Sequence, residues 1–385
     1  MTTRCCWVAL ATLCMFSGAC SWDSRPRSEE VSKLGFANAI HLETTSETSA
    51  NASLGDLDGD GDLDIVLAKG RHWPLLDVVL INDGSGSFIE RHTVGDLADR
   101  TYAAALADLD GDGDLDLVVG NDRPDGKLLY RNDGTGHFEI MGTFGDPTWP
   151  TRNVTVVDLT GDGRPDIVVA NRGGAVRGTA NYICPNDGEG HFSTCTELSS
   201  QSATTIGAGD LTGDGHIDLV VPHRDGGQSF LYINNGNGEF ETIVPLGPPE
   251  SATRAVALGD VSGDGNLDIV VGNDQAGGAL LYLNHGDLTF EGPLPLEAPS
   301  DLVYSIAIAD LDDDDDYDIV LGTVGAPSTV LVNNGDGTSF TAMRFGDGEG
   351  AVYGLAIGDV NGDGLPDIVS GRSGAPNMLY LNSGF

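Results

Sequence analysis

One acidic loop recurs seven times, and its spacing constrains the fold more than any other feature of the chain. The second copy reads Asp108-Leu-Asp-Gly-Asp-Gly-Asp-Leu-Asp116 and runs straight into the apolar stretch Leu117-Val-Val-Gly-Asn121. The copies begin at Asp56, Asp108, Asp158, Asp210, Asp260, Asp310 and Asp359, a spacing of 49 to 52 residues. A period of that length belongs to a repeat architecture, in which each unit buries its apolar face only by stacking on neighbours. Seven such units use nearly all of the 385 residues, which points to one large domain.

The acidic positions of the loop are the first, third, fifth and ninth. Carboxylates this close repel one another unless a cation sits among them. Gly111 and Gly113 let the backbone turn tightly around that centre, and a main-chain carbonyl at position seven adds an oxygen. An all-oxygen set suits calcium, which takes about 6–8 oxygens in a flexible shell, better than magnesium, which demands a rigid octahedron. The expected ligands are Asp56, Asp58, Asp60, Asp62 and Asp64 in the first loop, and Asp108, Asp110, Asp112, Asp114 and Asp116 in the second. They are Asp158, Thr160, Asp162 and Asp166 in the third, and Asp210, Thr212, Asp214 and Asp218 in the fourth. The fifth has Asp260, Ser262, Asp264 and Asp268, the sixth Asp310, Asp312, Asp314 and Asp318, and the seventh Asp359, Asn361, Asp363 and Asp367. Up to seven calcium ions are expected, held more weakly where position three is Thr, Ser or Asn. Asp315 stands in the sixth loop where the others have Gly, which strains the turn unless the extra acids compensate. An EF-hand or dockerin is excluded: position twelve is Leu67, Val119, Val169, Val221, Val271, Leu321 or Ser370 instead of Glu, and a strand follows instead of a helix.

The Asp-x-Asp-x-Asp-Gly-x-x-Asp loop, carried by Asp56–Asp64 and its six counterparts, resembles the FG-GAP (VCBS-type) repeats of the integrin alpha-chain head. The resemblance spans Phe36 to Phe385. It implies an all-β chain, a seven-bladed β-propeller with calcium in hairpin loops on one face. Propellers host many activities, so function has to be argued from the site.

Each repeat reads as a four-stranded blade. The first strand precedes the loop, as in Ala103–Ala107 and Ala255–Gly259, and alternates small with larger apolar residues. The second is continuously apolar, as in Leu117–Val119 and Ile269–Val271, so both of its faces are buried. A third strand, such as Leu128–Asn132, leads into an Asn/Asp/Gly hairpin turn. The fourth is expected to start at Phe88, Phe138, Phe192, Phe240, Phe290 and Phe340. The last repeat stops without a fourth strand, whereas Phe36–Leu42 reads as an orphan strand that completes the seventh blade and closes the ring.

Met1–Ala19 has the pattern of a signal peptide, with a short apolar run and a Ser17-Gly-Ala19 cleavage site. Cys20 follows directly in a sequence resembling a bacterial lipobox, although Ser17 replaces the usual Leu. The expectation is therefore a lipid anchor at Cys20, a flexible tether over residues 20–35, and a propeller over 36–385, in a protein exported to the cell envelope or secreted. Cys184 and Cys195 flank a hairpin turn and are expected to pair in that oxidising compartment. The formal net charge of −40 disfavours nucleic acid as a partner.

The acidic loops join strands one and two, so the loops between strands two and three share the opposite face with the blade connections. Most Lys and Arg residues of the repeats fall there: Lys69, Arg71, Arg100, Arg123, Lys127, Arg152, Arg172, Arg177, Arg224, Arg254 and Arg372. Six residues before each loop lie Ala50, Tyr102, Arg152, Thr204, Arg254, Tyr304 and Tyr353, a register that sevenfold geometry arranges around the mouth of the central channel. Tyr and Arg are typical of binding hot spots. Trp73, Tyr102, Trp149, Arg152, Arg254, Tyr304 and Tyr353 are the candidate ligand-binding residues. The leading reading is a monomeric, calcium-stabilised recognition propeller for an extracellular protein or glycan, touching a membrane only through a lipid anchor. No nucleophile elbow, His-Glu-x-x-His or phosphate loop argues for an enzyme. The alternatives are a lyase-like enzyme acting on polysaccharides, with His72 or His223 as base beside an Arg, and a purely structural envelope module.

Overall fold

A computed structural model describes residues 35–36, 38–173, 180–273, 278–296 and 302–384. The signal segment, Cys20, nearly all of the tether and Arg177 lie outside them. The described chain forms seven antiparallel sheets of four strands each, arranged as a β-propeller. Blade one consists of Ser49–Gly55, Asp64–Lys69, Val78–Asn82 and Phe88–Thr93. Blade seven takes Ala351–Gly358, Asp367–Ser373 and Met378–Leu381 from the end of the chain, and Asn38–His41 from its beginning. Asn38 pairs with Leu381 and His41 with Met378, so the orphan strand closes the ring as expected.

The second strands explain why the blades stack. Asp64–Lys69, Asp116–Asn121, Asp166–Asn171 and Asp318–Thr323 are buried along their whole length. Their Ile, Val and Leu side chains point alternately to two neighbouring blades. The apolar clusters accordingly lie between blades. Val66 and Val79 of blade one pack with Ala104, Leu117 and Val119 of blade two. Ile65, Leu67 and Leu80 close the ring against Val369 and Leu379 of blade seven. At that junction the backbones come so close that a Cβ on Gly354 would sit 2.6 Å from the Asn51 Cα. Near the axis, Ser53 Oγ donates to the Ala104 carbonyl at 2.6 Å and Thr155 Oγ1 to the Ile206 carbonyl at 2.9 Å, linking adjacent blades.

Two fourth strands begin later than the phenylalanine register suggests. They are Thr196–Ser199 in blade three and Thr242–Ser251 in blade four. Phe192 is instead buried and Phe240 half-buried, each packed inward before the ladder starts. In blade three Pro185 has no N–H for the ladder and the Cys184–Cys195 disulfide, present with Cα atoms 4.1 Å apart, draws the hairpin together.

Candidate functional site

Two faces carry chemistry. On one, the acidic loops are built from within. Asp56 accepts the Gly59 and Gly61 N–H groups at 2.8 and 3.0 Å, wrapping the backbone around its own carboxylate. Gly59 and Gly61 have φ of 78° and 95°. In the sixth loop the corresponding residues are Asp313 and Asp315, forced to φ of 60° and 69°. The extra acids therefore sit in the left-handed region that favours glycine, and the strain anticipated at Asp315 extends to Asp313.

Carboxylate oxygens converge in three loops. Asp56, Asp58 and Asp64 lie within 4.8 Å of one another, as do Asp108, Asp110 and Asp116, and Asp310, Asp312 and Asp318. These are the loops with Asp at position three. The fifth-position residues Asp60, Asp112 and Asp314 stand outside the triads, each accepting the N–H of the residue two further on at 2.9–3.1 Å. The Asp62 and Asp114 side chains lie against Gly84 and Gly134 of the neighbouring hairpins and do not join the triads either. In the third, fourth and seventh loops the third residue hydrogen-bonds a neighbouring carboxylate instead. Thr160 and Thr212 donate to Asp158 and Asp210 at 3.5 and 3.4 Å, and Asn361 donates to Asp363 at 3.0 Å. In the fifth, the Ser262 N–H caps Asp268 at 2.9 Å. Burial pushes the ninth-position carboxyls up, to about 6 for Asp64, Asp116 and Asp367 and about 7 for Asp318. Backbone N–H bonds oppose the rise and neighbouring carboxylates add to it. A partly buried, oxygen-only, multiply acidic donor set is one that a hard divalent cation fits.

The same carboxylates belong to a circuit that the sequence pattern did not disclose. Asp116 takes the Leu109 N–H on one oxygen and the Asn132 N–H on the other. The Asn132 amide then donates at 2.8 Å to the Leu57 carbonyl in the loop of blade one. Asn82, Asn186, Asn234, Asn284, Asn333 and Asn382 repeat this bond to the preceding blade, at 2.7–3.0 Å. Every acidic loop is thereby tied to the next blade's hairpin. The Asn at the start of each turn does not itself take a positive φ. Gly134 and Gly136 take that conformation, while Asn132 holds their N–H groups and reaches across the blade boundary. The only sequence signal was the recurrence of Asn at the end of strand three.

On the opposite face, the six-before register does converge. Arg254 stacks over Tyr304 with its guanidinium carbon 3.5 Å from the ring centroid, and Tyr304 contacts Tyr353 at 5.2 Å. Arg152 lies over Tyr102 at 4.1 Å. The gap between these groups falls at blade one, where the register residue is Ala50, and Arg71 bridges it. Arg71 lies 3.5 Å from the Tyr353 centroid and 5.5 Å from that of Tyr102. A belt of three cations and three rings, with Tyr304 and Tyr353 side by side, thus runs through six blades. The fourth blade joins through Thr204, whose hydroxyl donates to the Arg254 carbonyl at 2.8 Å. Beneath the belt is a cavity of about 150 Å³ lined in part by Asn51, Asn153, Thr204 and Thr205. His72 meets the Tyr102 hydroxyl at 3.0 Å. Burial, then Arg71 and Arg152, hold its imidazole below the usual range, which favours the neutral ring in its hydrogen bond with the Tyr102 hydroxyl.

Not every expected residue joins this mouth. Trp73 is 68% exposed on the loop after the second strand of blade one. Trp149 instead stacks on Tyr182, ring centroids 4.0 Å apart, in the core between blades two and three. Lys69, Lys127 and Arg372 are buried props and not a cationic surface. Lys69 pairs with Glu43 and Glu47, Lys127 donates to the carbonyls of Asp125, Pro147 and Trp149, and Arg372 pairs with Asp347. Buried cations need such partners, which a loop assignment alone does not reveal.

The repeats match a family model described as FG-GAP-like repeat, over residues 56–119, 108–169, 158–221, 210–271, 260–321 and 310–370. No curated protein matches the chain. Among solved structures, an Agrocybe aegerita lectin, studied for its recognition of non-reducing terminal N-acetylglucosamine, is similar at 22% identity and a TM-score of 0.56. That alignment covers 78% of this chain and 80% of the lectin. BBS1N, in its complex with ARL6DN soaked with lead, is 16% identical with a TM-score of 0.61, over 91% of this chain and 97% of its own. The mercury-soaked form of that complex gives 16% and 0.61 over 90% and 96%. At these identities the likeness is one of fold.

Proposed function

Because the chain belongs to the FG-GAP-like repeat family, we propose that it is an exported, calcium-stabilised propeller that recognises an extracellular glycan or protein with the face opposite its acidic loops. The observation that carries this reading is the Arg–Tyr belt. Arg254, Tyr304, Tyr353, Arg71, Tyr102 and Arg152 come from six blades and converge on one channel mouth. Stacked guanidinium groups are pre-organised, so little side-chain entropy remains to be lost on binding. The lectin of similar fold binds a sugar and BBS1N is found with a protein partner, and both kinds of ligand suit this reading. Calcium is expected in the three loops with carboxylate triads first and in the other four more weakly. Its role is structural: it neutralises buried Asp side chains in the loops that tie the blades together. The signal-like N-terminus and Cys20 fit delivery to the cell envelope, and a monomer suffices because one chain closes the ring.

The test is binding of the full exported chain, in calcium, to an array of extracellular glycans, followed by capture from its native envelope. Binding that disappears when Tyr102, Arg152, Arg254 and Tyr304 are replaced together, with Tm unchanged, supports recognition at the mouth. Binding that survives those changes rejects it.

A second reading has one observation in its favour. Neutral His72, bonded to Tyr102 beside Arg71 and Arg152, has the composition of a proton-transfer site next to an anion clamp. Release of unsaturated sugar products from a polysaccharide panel, followed by ultraviolet absorbance, would establish a lyase-like activity.

A further inference from the structure

We propose that the channel mouth takes an oxyanion, a carboxylate or sulfate, carried on a sugar, and that Arg71 is the residue that grips it. The proposal rests on the recognition reading above and names the chemistry of its ligand. The first support is charge. In a chain of net charge −40, the described residues of this cluster bring together the guanidinium groups of Arg71, Arg152, Arg172, Arg224 and Arg254. Asp122 and Asp225 are among the carboxylates that face them. Asp122 pairs with Arg152 at 2.9 Å, and Asp225 lies 3.6 Å from Arg172 and 2.9 Å from Arg224. The crowding registers on the groups themselves: burial and then Arg224 hold Arg254 down to about 10. Like charges gathered at one mouth favour an arriving anion over a cation.

The second support is Arg71 itself. Its backbone sits at φ 50°, outside the usual range for a non-glycine residue, and its side chain stacks on Tyr353 at the channel mouth. One terminal nitrogen donates to Ser373 Oγ at 3.0 Å, while its Nε is buried with no hydrogen-bond partner. A buried unpaired N–H is expensive in a protein interior. Stacking on Tyr353 uses the face of the guanidinium, so a ligand would meet it edge-on. An edge of that kind matches the oxygen pair of a carboxylate or sulfate.

The third support selects a sugar. The cavity below the belt is lined in part by Asn51, Asn153 and Thr205, residues whose amides and hydroxyls match sugar hydroxyls.

The experiment is titration calorimetry of the full chain in saturating calcium with four probes: an oligogalacturonate, the same oligomer with its carboxyls reduced to alcohols, a sulfated chondroitin oligosaccharide, and a poly-glutamate peptide. An acidic oligosaccharide should bind, and its neutral counterpart about tenfold or more weakly, the range of a charge-assisted hydrogen bond. The uronate and sulfate arms distinguish the two oxyanions. Arg71→Gln and Arg71→Lys should each lose about tenfold or more. Arg123→Gln, which removes equal charge from an exposed site on the same face, should stay within about twofold. Equal binding of the reduced oligomer would overturn the anion site while leaving recognition standing. Preference for poly-glutamate would overturn the sugar. Binding that survives Arg71→Gln would place the uronate elsewhere, as on calcium at the opposite face, and silence from every probe would also refute the proposal. Should the variants lower Tm, competition by free galacturonate against the bound oligomer in the natural protein provides the same decision.

Discussion

Asp77 should destabilise this propeller at neutral and alkaline pH, and replacing it with Asn should stabilise it. Asp77 is buried at the start of the third strand of blade one, where it caps the end of the second. Its two oxygens accept the Lys69 N–H at 2.7 Å and the Thr101 hydroxyl at 2.9 Å. Burial pushes its carboxyl up to about 7; those two bonds and Lys69 oppose the rise, and Asp99 adds to it. Other blades solve the same problem without a charge. Asn181 accepts the Asn171 N–H at 2.8 Å and donates to Ser199, and Asn377 accepts the Arg372 N–H at 2.7 Å and donates to Ser49. In Asp77→Asn the new amide can donate to the Thr101 oxygen while Thr101 donates to Asn121, a bond already 2.9 Å long. A carboxyl moved from 3.8 to about 7 carries about 4 kcal/mol of ionisation cost in the folded state. That is a ceiling, since local rearrangement and water entry relieve part of it. The sign follows from the raised folded value. The natural protein pays nothing below the unfolded pKa of 3.8, loses stability relative to the variant as pH rises towards about 7, and stays at that deficit above it. The assay is urea unfolding of both proteins in saturating calcium from pH 4.5 to 9. Comparing them at each pH cancels titrations they share. A stability difference that does not change with pH, or a less stable variant at pH 9, would refute the reasoning.

Three further outcomes follow from the same geometry. Asn132→Ala removes the bond to the Leu57 carbonyl and the support of two turn N–H groups, and should cost about 2–4 kcal/mol in unfolding free energy; a loss below about 0.5 kcal/mol would mean the inter-blade bonds carry no weight. Asp313→Gly with Asp315→Gly relieves two left-handed non-glycine residues and should stabilise the sixth blade by about 1–2 kcal/mol, seen as a raised Tm. Chelation of calcium should lower Tm, and isothermal titration should resolve three tighter sites, the first, second and sixth loops, ahead of the rest; an unchanged Tm across the titration would remove the metal from the account.

The architecture was legible because its determinants are local and repeated. A spacing of 49 to 52 residues, apolar second strands and a fourth strand missing at one end but present at the other require no knowledge of distant contacts. The channel-mouth register was legible for the same reason: six residues before each loop is one place in every blade. Arg71 was not, because it fills a vacancy left by Ala50 from a different loop, and only the neighbours Tyr102 and Tyr353 make that meaningful. Trp149 misled because an aromatic residue in a loop looks the same whether it faces solvent or stacks on Tyr182.

By itself, then, the amino-acid sequence determined the repeat, the blade and the order of the acidic loops, since turn chemistry and side-chain alternation act within a few residues. Only the closed ring decided which residues meet across blade boundaries. The Asn132–Leu57 bond joins residues 75 apart in the chain, and the pair Arg71 and Tyr353 meets only because the seventh blade returns to the first. Those contacts depend on how each blade is rotated against the next, and that rotation is set by the packing of whole sheets.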